Sequence, residues 1–204
     1  MIKNIIFDWS GVVKDCVNSH LWVVNEIFLE FGVPKISLKE FKEKWEQPYM
    51  KFYNKYIPNL TLENEQKAYK KAFLKCPKSY SYKGMVELIK DLKKRGVKMV
   101  IVSSDFIENL NKEIIEYDLE NIFIDVIHNS HNKTNDVINV INKYNFNKLE
   151  TVIVGDSNHE IEVGKKAGIK TIGATWGFTN KEKLLNSNPD HIVSNINDLK
   201  KILI

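Results

Sequence analysis

The sequence has 204 residues, of which 43% are hydrophobic and 27% charged, and a formal net charge of +4. That length supports one sizeable core with room for a smaller lobe, and the composition excludes an intrinsically disordered chain. The lysines are scattered along helix-like stretches and form no block, so they read as solvated surface and no nucleic-acid partner is expected. Cys16 and Cys76 match no metal or redox spacing and suit a reducing compartment. No apolar run is long enough to span a membrane, and the N-terminal MIKNIIFDW lacks signal-peptide architecture, so a cytoplasmic protein is expected.

In chain order, residues 5–7 form a short apolar run ending on Asp8-Trp9-Ser10-Gly11, the pattern of a buried strand feeding a tight loop. Helical spacing follows over 17–31, punctuated by Gly32 and Pro34. Ser37 with Glu40 predicts a capping box, and Thr61 starts a further helix. No strand is predicted between about residues 14 and 83. From Gly84 the pattern changes to alternation. Helices are predicted over 85–94, 106–117, 134–144, 160–167 and 196–203. Strands are predicted at 99–102, 123–127, 152–154, 171–174 and 191–193. Alternating apolar strands and amphipathic helices predict a doubly wound, mostly parallel α/β sheet. The helical region after the first strand predicts an inserted cap over 14–83, set into a core of 1–13 and 84–204.

Ligands of open α/β sheets bind outside the carboxyl ends of the strands. Four polar groups fall there: Asp8 to Gly11, Ser103 to Asp105, the loop carrying Lys133, and Asp156 to Glu160. Asp8 and Asp156 would repel each other unless a cation lay between them, and hard oxygen ligands favour Mg²⁺. Lys133, Ser103 and nearby backbone N–H groups would cradle a phosphoryl group. A carboxylate in such a site can act as the nucleophile and form an aspartyl-phosphate.

Over nearly its whole length the chain resembles the haloacid dehalogenase-like (HAD) hydrolase superfamily, phosphatase branch with a helical C1-type cap. The first motif reads FDWSGVV over 7–13, the second falls on Ser103 in VIVSSD, and the fourth reads VIVGDSNHEIEVGKKAGI over 152–169. TIGATWGF over 171–178 also looks like that branch. The resemblance implies that Asp8 is the nucleophile, with Ser103 and Lys133 holding the phosphoryl group. It further implies Mg²⁺ held by Asp8, the carbonyl of Ser10, Asp156 and Glu160. Gly11 and Ser104 are expected beside the substrate, a small phosphorylated molecule. The protein is expected to be a monomer or a homodimer.

The chain departs from the family in three places. Thr134 replaces the usual proline after the lysine, and Glu160 stands where Asp is usual. The third departure is Ser10, where the family's phosphatases carry a second aspartate that protonates the leaving oxygen and then activates water. A serine hydroxyl titrates too high to substitute for it. The main reading is therefore a slow phosphatase, or one for leaving groups needing little protonation, such as acyl phosphates. One alternative is a binding or regulatory protein on the HAD fold with little turnover; dehalogenation is another chemistry of the superfamily. A further alternative resembles phosphonoacetaldehyde hydrolase, with Lys51 as a Schiff-base lysine in the cap. Trp9 is expected between core and cap, and most cap aromatics in the cap's own core. His159 is expected to be exposed. His128 and His131 lack helical-register partners for zinc.

Overall fold

The computed structural model describes residues 1–130 and 132–204; His131, and with it the expectation for the 128/131 histidine pair, lies outside the described residues. Six parallel strands form one sheet. They are β1 (Asn4–Phe7), β4 (Lys98–Val102), β5 (Asp125–Ile127), β6 (Thr151–Gly155), β7 (Lys170–Ala174) and β8 (His191–Val193). Their spatial order is β5-β4-β1-β6-β7-β8. The chain winds outward from β1 to one edge, returns to β6, and winds out to the other. The two halves meet between β1 and β6, the switch point where such sheets open a crevice.

Strand sequence explains the layering. In β1, β4 and β6 alternate side chains point to opposite faces. Ile5, Phe7, Met99, Ile101, Val152 and Val154 bury against one set of helices. Three helices supply that layer: α5 (Met85–Lys94), α6 (Ile107–Glu116) and α10 (Ile196–Leu203). Ile6, Val100, Val102 and Ile153 bury on the opposite face, against α7 (Lys133–Lys143) and α8 (Asn158–Ala167). Both faces are covered, which is why the strands read as unbroken apolar runs.

Between β1 and α5 the chain builds a second apolar cluster. Helices α1 (Val17–Glu30), α2 (Leu38–Lys44), α3 (Met50–Tyr56) and α4 (Leu62–Phe73) enclose Phe28, Phe41, Phe52 and Tyr53. The rings stack or meet edge-on, as between Phe28 and Phe52 at 6.0 Å and between Phe41 and Phe52 at 5.6 Å. Burying each such ring contributes about 2–3 kcal/mol. Phe178, from the loop after β7, joins this cluster and meets Trp45 at 5.3 Å. Phe178 thus ties the helical insert to the loop after β7, beside the Lys42 ammonium donating to the Trp176 carbonyl and the Lys183 ammonium donating to that of Trp45.

Several expectations need correction. Two strands lie where none was predicted: β2 (Lys14–Asp15) pairs antiparallel with β3 (Tyr80–Ser81) and closes the neck of the insert. They are too short to leave a periodic signal. Trp9 does not sit between the sheet and the insert. It is fully buried in the sheet's own cluster, stacked on Tyr117 at 5.8 Å, with its indole N–H donating to Glu113 at 2.7 Å. Only half of the Ser37–Glu40 box forms. Ser37 accepts from the Glu40 N–H, while the Glu40 carboxylate accepts instead from the Tyr56 hydroxyl at 3.0 Å. A short helix, α9 (Lys181–Asn186), was not predicted.

Candidate active site

Each candidate side chain sits at the carboxyl end of a strand or the start of the helix after it. Asp8 follows β1, and its N–H extends the ladder to the Val154 carbonyl at 3.0 Å. Asp156 follows β6, β1's neighbour on one side, and Ser103 follows β4, its neighbour on the other. Lys133 opens α7, and Glu160 lies in the first turn of α8. The sheet thus gathers residues separated by about 150 positions around the switch point.

After Asp8 the backbone turns sharply. The N–H groups of Val12, Val13 and Lys14 all approach the Trp9 carbonyl, at 3.2, 2.9 and 3.0 Å. Gly11 takes φ +86°, and a Cβ there would lie 2.2 Å from Asp156 Oδ2. A Cβ on Gly177 would lie 2.0 Å from the same oxygen. Both glycines make room for the Asp156 carboxylate. Gly11, expected beside the substrate, does not line the cavity, and its role in the structure is this close approach.

Lys133 lies between two carboxylates, 3.0 Å from Asp8 Oδ1 and 2.7 Å from Glu160 Oε1, and all three are buried. Asp8 Oδ1 also accepts from the Trp9 N–H at 2.9 Å. Asp156 accepts from the Phe178 N–H at 2.5 Å. Glu160 completes a capping box on α8, its Oε2 accepting from the Ser157 N–H at 3.2 Å and from the Ser157 hydroxyl. Both Glu160 oxygens are therefore engaged, one with the lysine and one with the helix start.

Oxygens of Asp8, Asp156 and Glu160 lie within 4.8 Å of one another. Burial pushes the Asp8 carboxyl up to about 7, against the pull of Lys133. Asp156 is pushed well above the carboxylate range by burial and by Asp8 and Glu160. Burial also acts on Glu160, but Lys133 outweighs it and holds that carboxyl below its ordinary value. Lys133 is raised, because the two carboxylates overcome the cost of its burial. Were all three carboxylates ionised, one ammonium would leave two negative charges uncompensated, and the raised Asp8 and Asp156 express that cost. A divalent cation would balance those charges, and an all-oxygen donor set suits a hard one.

Ser10 and Ser103 both turn toward Asp105. The Ser10 hydroxyl donates to Asp105 Oδ2 at 2.7 Å, and the Ser103 hydroxyl donates to the same oxygen at 3.0 Å. Asp105 belongs to the predicted strand-end polar group but carried no assigned role. Ser103 is buried, and Ser104 is exposed at the cavity wall. Lys14, also unassigned, is buried in an ion pair with Glu113, which anchors the Asp8 loop to α6. Lys51 lies exposed on α3 and does not line the cavity, so it is not placed to act as the Schiff-base lysine; of the insert's lysines, Lys70 and Lys78 line the wall beside Lys14. His159 is half-buried rather than exposed and does not line the cavity.

A family model described as haloacid dehalogenase-like hydrolase matches residues 5–174. The chain belongs to the haloacid dehalogenase-like hydrolases. Among curated relatives, the HAD chain is 28% identical to pyrophosphatase PpaX of Halalkalibacterium halodurans, over 60% of this chain and 59% of that protein. It therefore spans less than two thirds of that relative. It is 24% identical to phosphoglycolate phosphatase of Aquifex aeolicus, over 99% of this chain and 97% of that one. The same HAD fold appears in a haloacid dehalogenase-like hydrolase from Streptococcus pneumoniae, with TM-score 0.82, 18% identity and coverage of 100% and 99% of the two chains. A hydrolase from Pseudomonas syringae matches with TM-score 0.75, 17% identity and coverage of 98% and 99%.

Proposed function

We propose that this HAD chain is a Mg²⁺-dependent phosphate-monoester hydrolase that works through an aspartyl-phosphate on Asp8. The observation that carries the reading is the convergence of Asp8, Asp156 and Lys133 at the switch point, with carboxylate oxygens close enough to share one cation. Asp8, Asp156 and the Ser10 carbonyl would hold Mg²⁺, with Glu160 beside them fixing Lys133. When bound, the ion supplies charge stabilisation for the phosphoryl oxygens.

The chain's own residues then divide the work. Asp8 Oδ1 is held by Lys133 and the Trp9 N–H, while Oδ2 accepts no hydrogen bond among the described residues. An Asp8 oxygen attacks phosphorus, the bond to the leaving oxygen breaks, and that oxygen takes up a proton. Water then attacks the phosphorus of the aspartyl-phosphate, freeing inorganic phosphate and restoring the Asp8 carboxylate. Lys133 and Ser103 hold phosphoryl oxygens throughout. With no carboxylate at position 10, Asp105 is the carboxylate that reaches Ser10, and the proton passes between Asp105 and the reacting oxygens by way of that hydroxyl. The relay is longer than a direct carboxylate contact, which fits slow turnover.

Residues 14–83 act as a cap that screens the site from water and contacts the leaving group. The substrate is a small phosphorylated molecule. The protein works in the cytoplasm as a monomer or homodimer without nucleic acid or membrane; among the described residues no helix is long and apolar enough to cross one. The test is phosphate release from an activated aryl phosphate with and without Mg²⁺. Mg²⁺-dependent release that disappears in Asp8→Asn supports the reading. Release that survives Asp8→Asn contradicts the mechanism, and no release from a broad phosphate panel favours the binding-protein alternative.

A further inference from the structure

The cavity that holds Asp8, Lys133 and Asp156 has a volume of about 580 Å³, walled by α4 on the insert side and by α6 on the sheet side. Cavities of about 300–1,000 Å³ take ligands far larger than a phosphoryl group and a metal ion. Most of the space therefore belongs to the leaving group.

Helical spacing sets what each wall presents. On α4, Tyr69 and Phe73 lie four positions apart on one stripe, while Ala68 and Ala72 bury in the insert's own cluster. The two rings are half-buried, line the cavity, and stack on each other at 5.6 Å with 15° between their planes. Tyr69 also lies 6.1 Å from the ring of His20 on α1, which meets Phe178 at 5.2 Å, and the Phe178 N–H holds Asp156. On the other wall, Leu110 and Ile114 bury the inner face of α6, and Phe106 precedes the helix at the cavity's edge. The Phe106 ring is 43% exposed and makes no ring–ring contact among the described residues. Its neighbour Asp105 accepts from Ser10, two residues from Asp8, so the exposed ring borders the place where the leaving oxygen departs.

Apolar surface left open beside a catalytic centre and rimmed by polar side chains is surface that a ligand covers. Continuity with the Asp8 end identifies that ligand as the leaving group. Charge does not select it: Glu65 and Glu116 share the wall with Lys70, Lys78 and Lys112, and Lys70 makes no ion pair among the described residues. With both signs present, the rings are what distinguish the wall.

We infer that Phe106 from the sheet side, with Tyr69 and Phe73 from the insert, binds an aromatic ring carried by the leaving group. The substrate is then a phosphate monoester whose alcohol bears such a ring, held by offset or edge-on contacts. This rests on the phosphatase reading for the position of the phosphate, but the ring preference belongs to the cavity wall.

The experiment compares 2-phenylethyl phosphate with ethyl phosphate and glycerol 3-phosphate on the Mg²⁺-loaded full chain; all three release a primary alcohol. The expected kcat/KM is at least about tenfold higher for the phenylethyl ester, the scale of withdrawing one ring from water. Phe106→Ala reduces that preference several-fold, mainly through KM, and Phe106→Tyr keeps it. Because the preference is a ratio between substrates, it cancels any effect of the substitution on Asp105. Phe73→Ala acts in the same direction. Ile115→Ala, at an exposed apolar position of α6 outside the cavity, leaves the ratio unchanged. A ratio near one, a preference that survives both Phe106→Ala and Phe73→Ala, or one that Ile115→Ala removes equally, overturns the inference. If no ester is hydrolysed, the phosphatase reading fails by itself, and calorimetry with 2-phenylethylphosphonate and ethylphosphonate decides. Tighter binding of the phenylethyl compound, with a more negative heat-capacity change that Phe106→Ala removes, upholds the ring site. Equal affinities and equal heat-capacity changes reject it.

Discussion

The Ser10 hydroxyl donates to Asp105 across 2.7 Å, so a carboxylate from the loop after β4 reaches the position where the first motif lacks one. β1 and β4 are neighbours in the sheet, and their loops leave it side by side. Asp105→Asn is expected to lower turnover of an alkyl phosphate about a hundredfold, and that of an aryl phosphate much less, since a good leaving group needs little protonation. The exchange Ser10→Asp with Asp105→Ser restores a carboxylate to position 10 and is expected to recover or exceed the original rate. A leaving-group series measured on both proteins checks this; equal losses across the series would place Asp105 outside proton transfer.

Lys133 is the single cation among three buried carboxylates. Lys133→Met leaves them unpaired, and breaking a buried pair this way costs about 3–5 kcal/mol. Urea unfolding in EDTA at neutral pH is expected to show that loss. Mg²⁺ is expected to return part of it, since a ligand that binds only the folded state at a hundred times its Kd adds about 2.7 kcal/mol.

Asp8 also predicts a pH signature for the metal-free protein. Its folded carboxyl is raised from 3.8 to about 7, so between these values the folded state holds a proton that the unfolded chain has released. Stability from this group is therefore lost as pH rises from about 4 to about 7. His20 runs the other way. Burial lowers it from 6.5 to about 4, so its contribution is lost as pH falls through that interval. The difference between wild type and Asp8→Asn removes the His20 contribution and reports Asp8 together with its coupling to Asp156. In EDTA, Asp8→Asn is expected to gain stability relative to wild type as pH rises across the window, and Mg²⁺ is expected to cancel the gain. Calorimetry at pH 5 and 7.5 checks both.

Gly11 and Gly32 both hold positive φ, but a Cβ on Gly11 meets Asp156 at 2.2 Å while one on Gly32 meets nothing within 4 Å. Gly32→Ala is expected to cost only the left-handed backbone term of about 1–2 kcal/mol. Gly11→Ala adds displacement of Asp156 and is expected to weaken Mg²⁺ binding at least tenfold as well. Metal titration of the two variants separates the contact from the backbone term.

Much of the architecture was legible because it is local or periodic. Apolar runs such as 5–7 and 152–154 announced strands covered on both faces, and the polar residues after them marked the crevice at the switch point. Gly168 ends α8 in the left-handed conformation expected of a helix stop. What stayed hidden depends on partners distant in sequence. Asp105 reads as a loop residue until β4 lies beside β1 and Ser10 meets it. Trp9 was expected between sheet and insert, yet its ring stacks on Tyr117, a partner more than a hundred positions away. Phe178 gives no sign in TIGATWGF that its N–H holds Asp156 while its ring joins the insert. Glu65 sits in a lysine-rich amphipathic helix where an acidic residue reads as solvated, and only the packing of α4 shows it buried.

The central claim is covalent chemistry at Asp8. Rapid acid quench of the Mg²⁺-loaded protein with a small phosphate monoester, followed by peptide mass mapping, reads it directly. The account predicts one phosphoryl group on the peptide containing Asp8, lost on hydroxylamine treatment and absent from Asp8→Asn. Turnover with no phosphorylated peptide, or with the phosphoryl group on another residue, would contradict it.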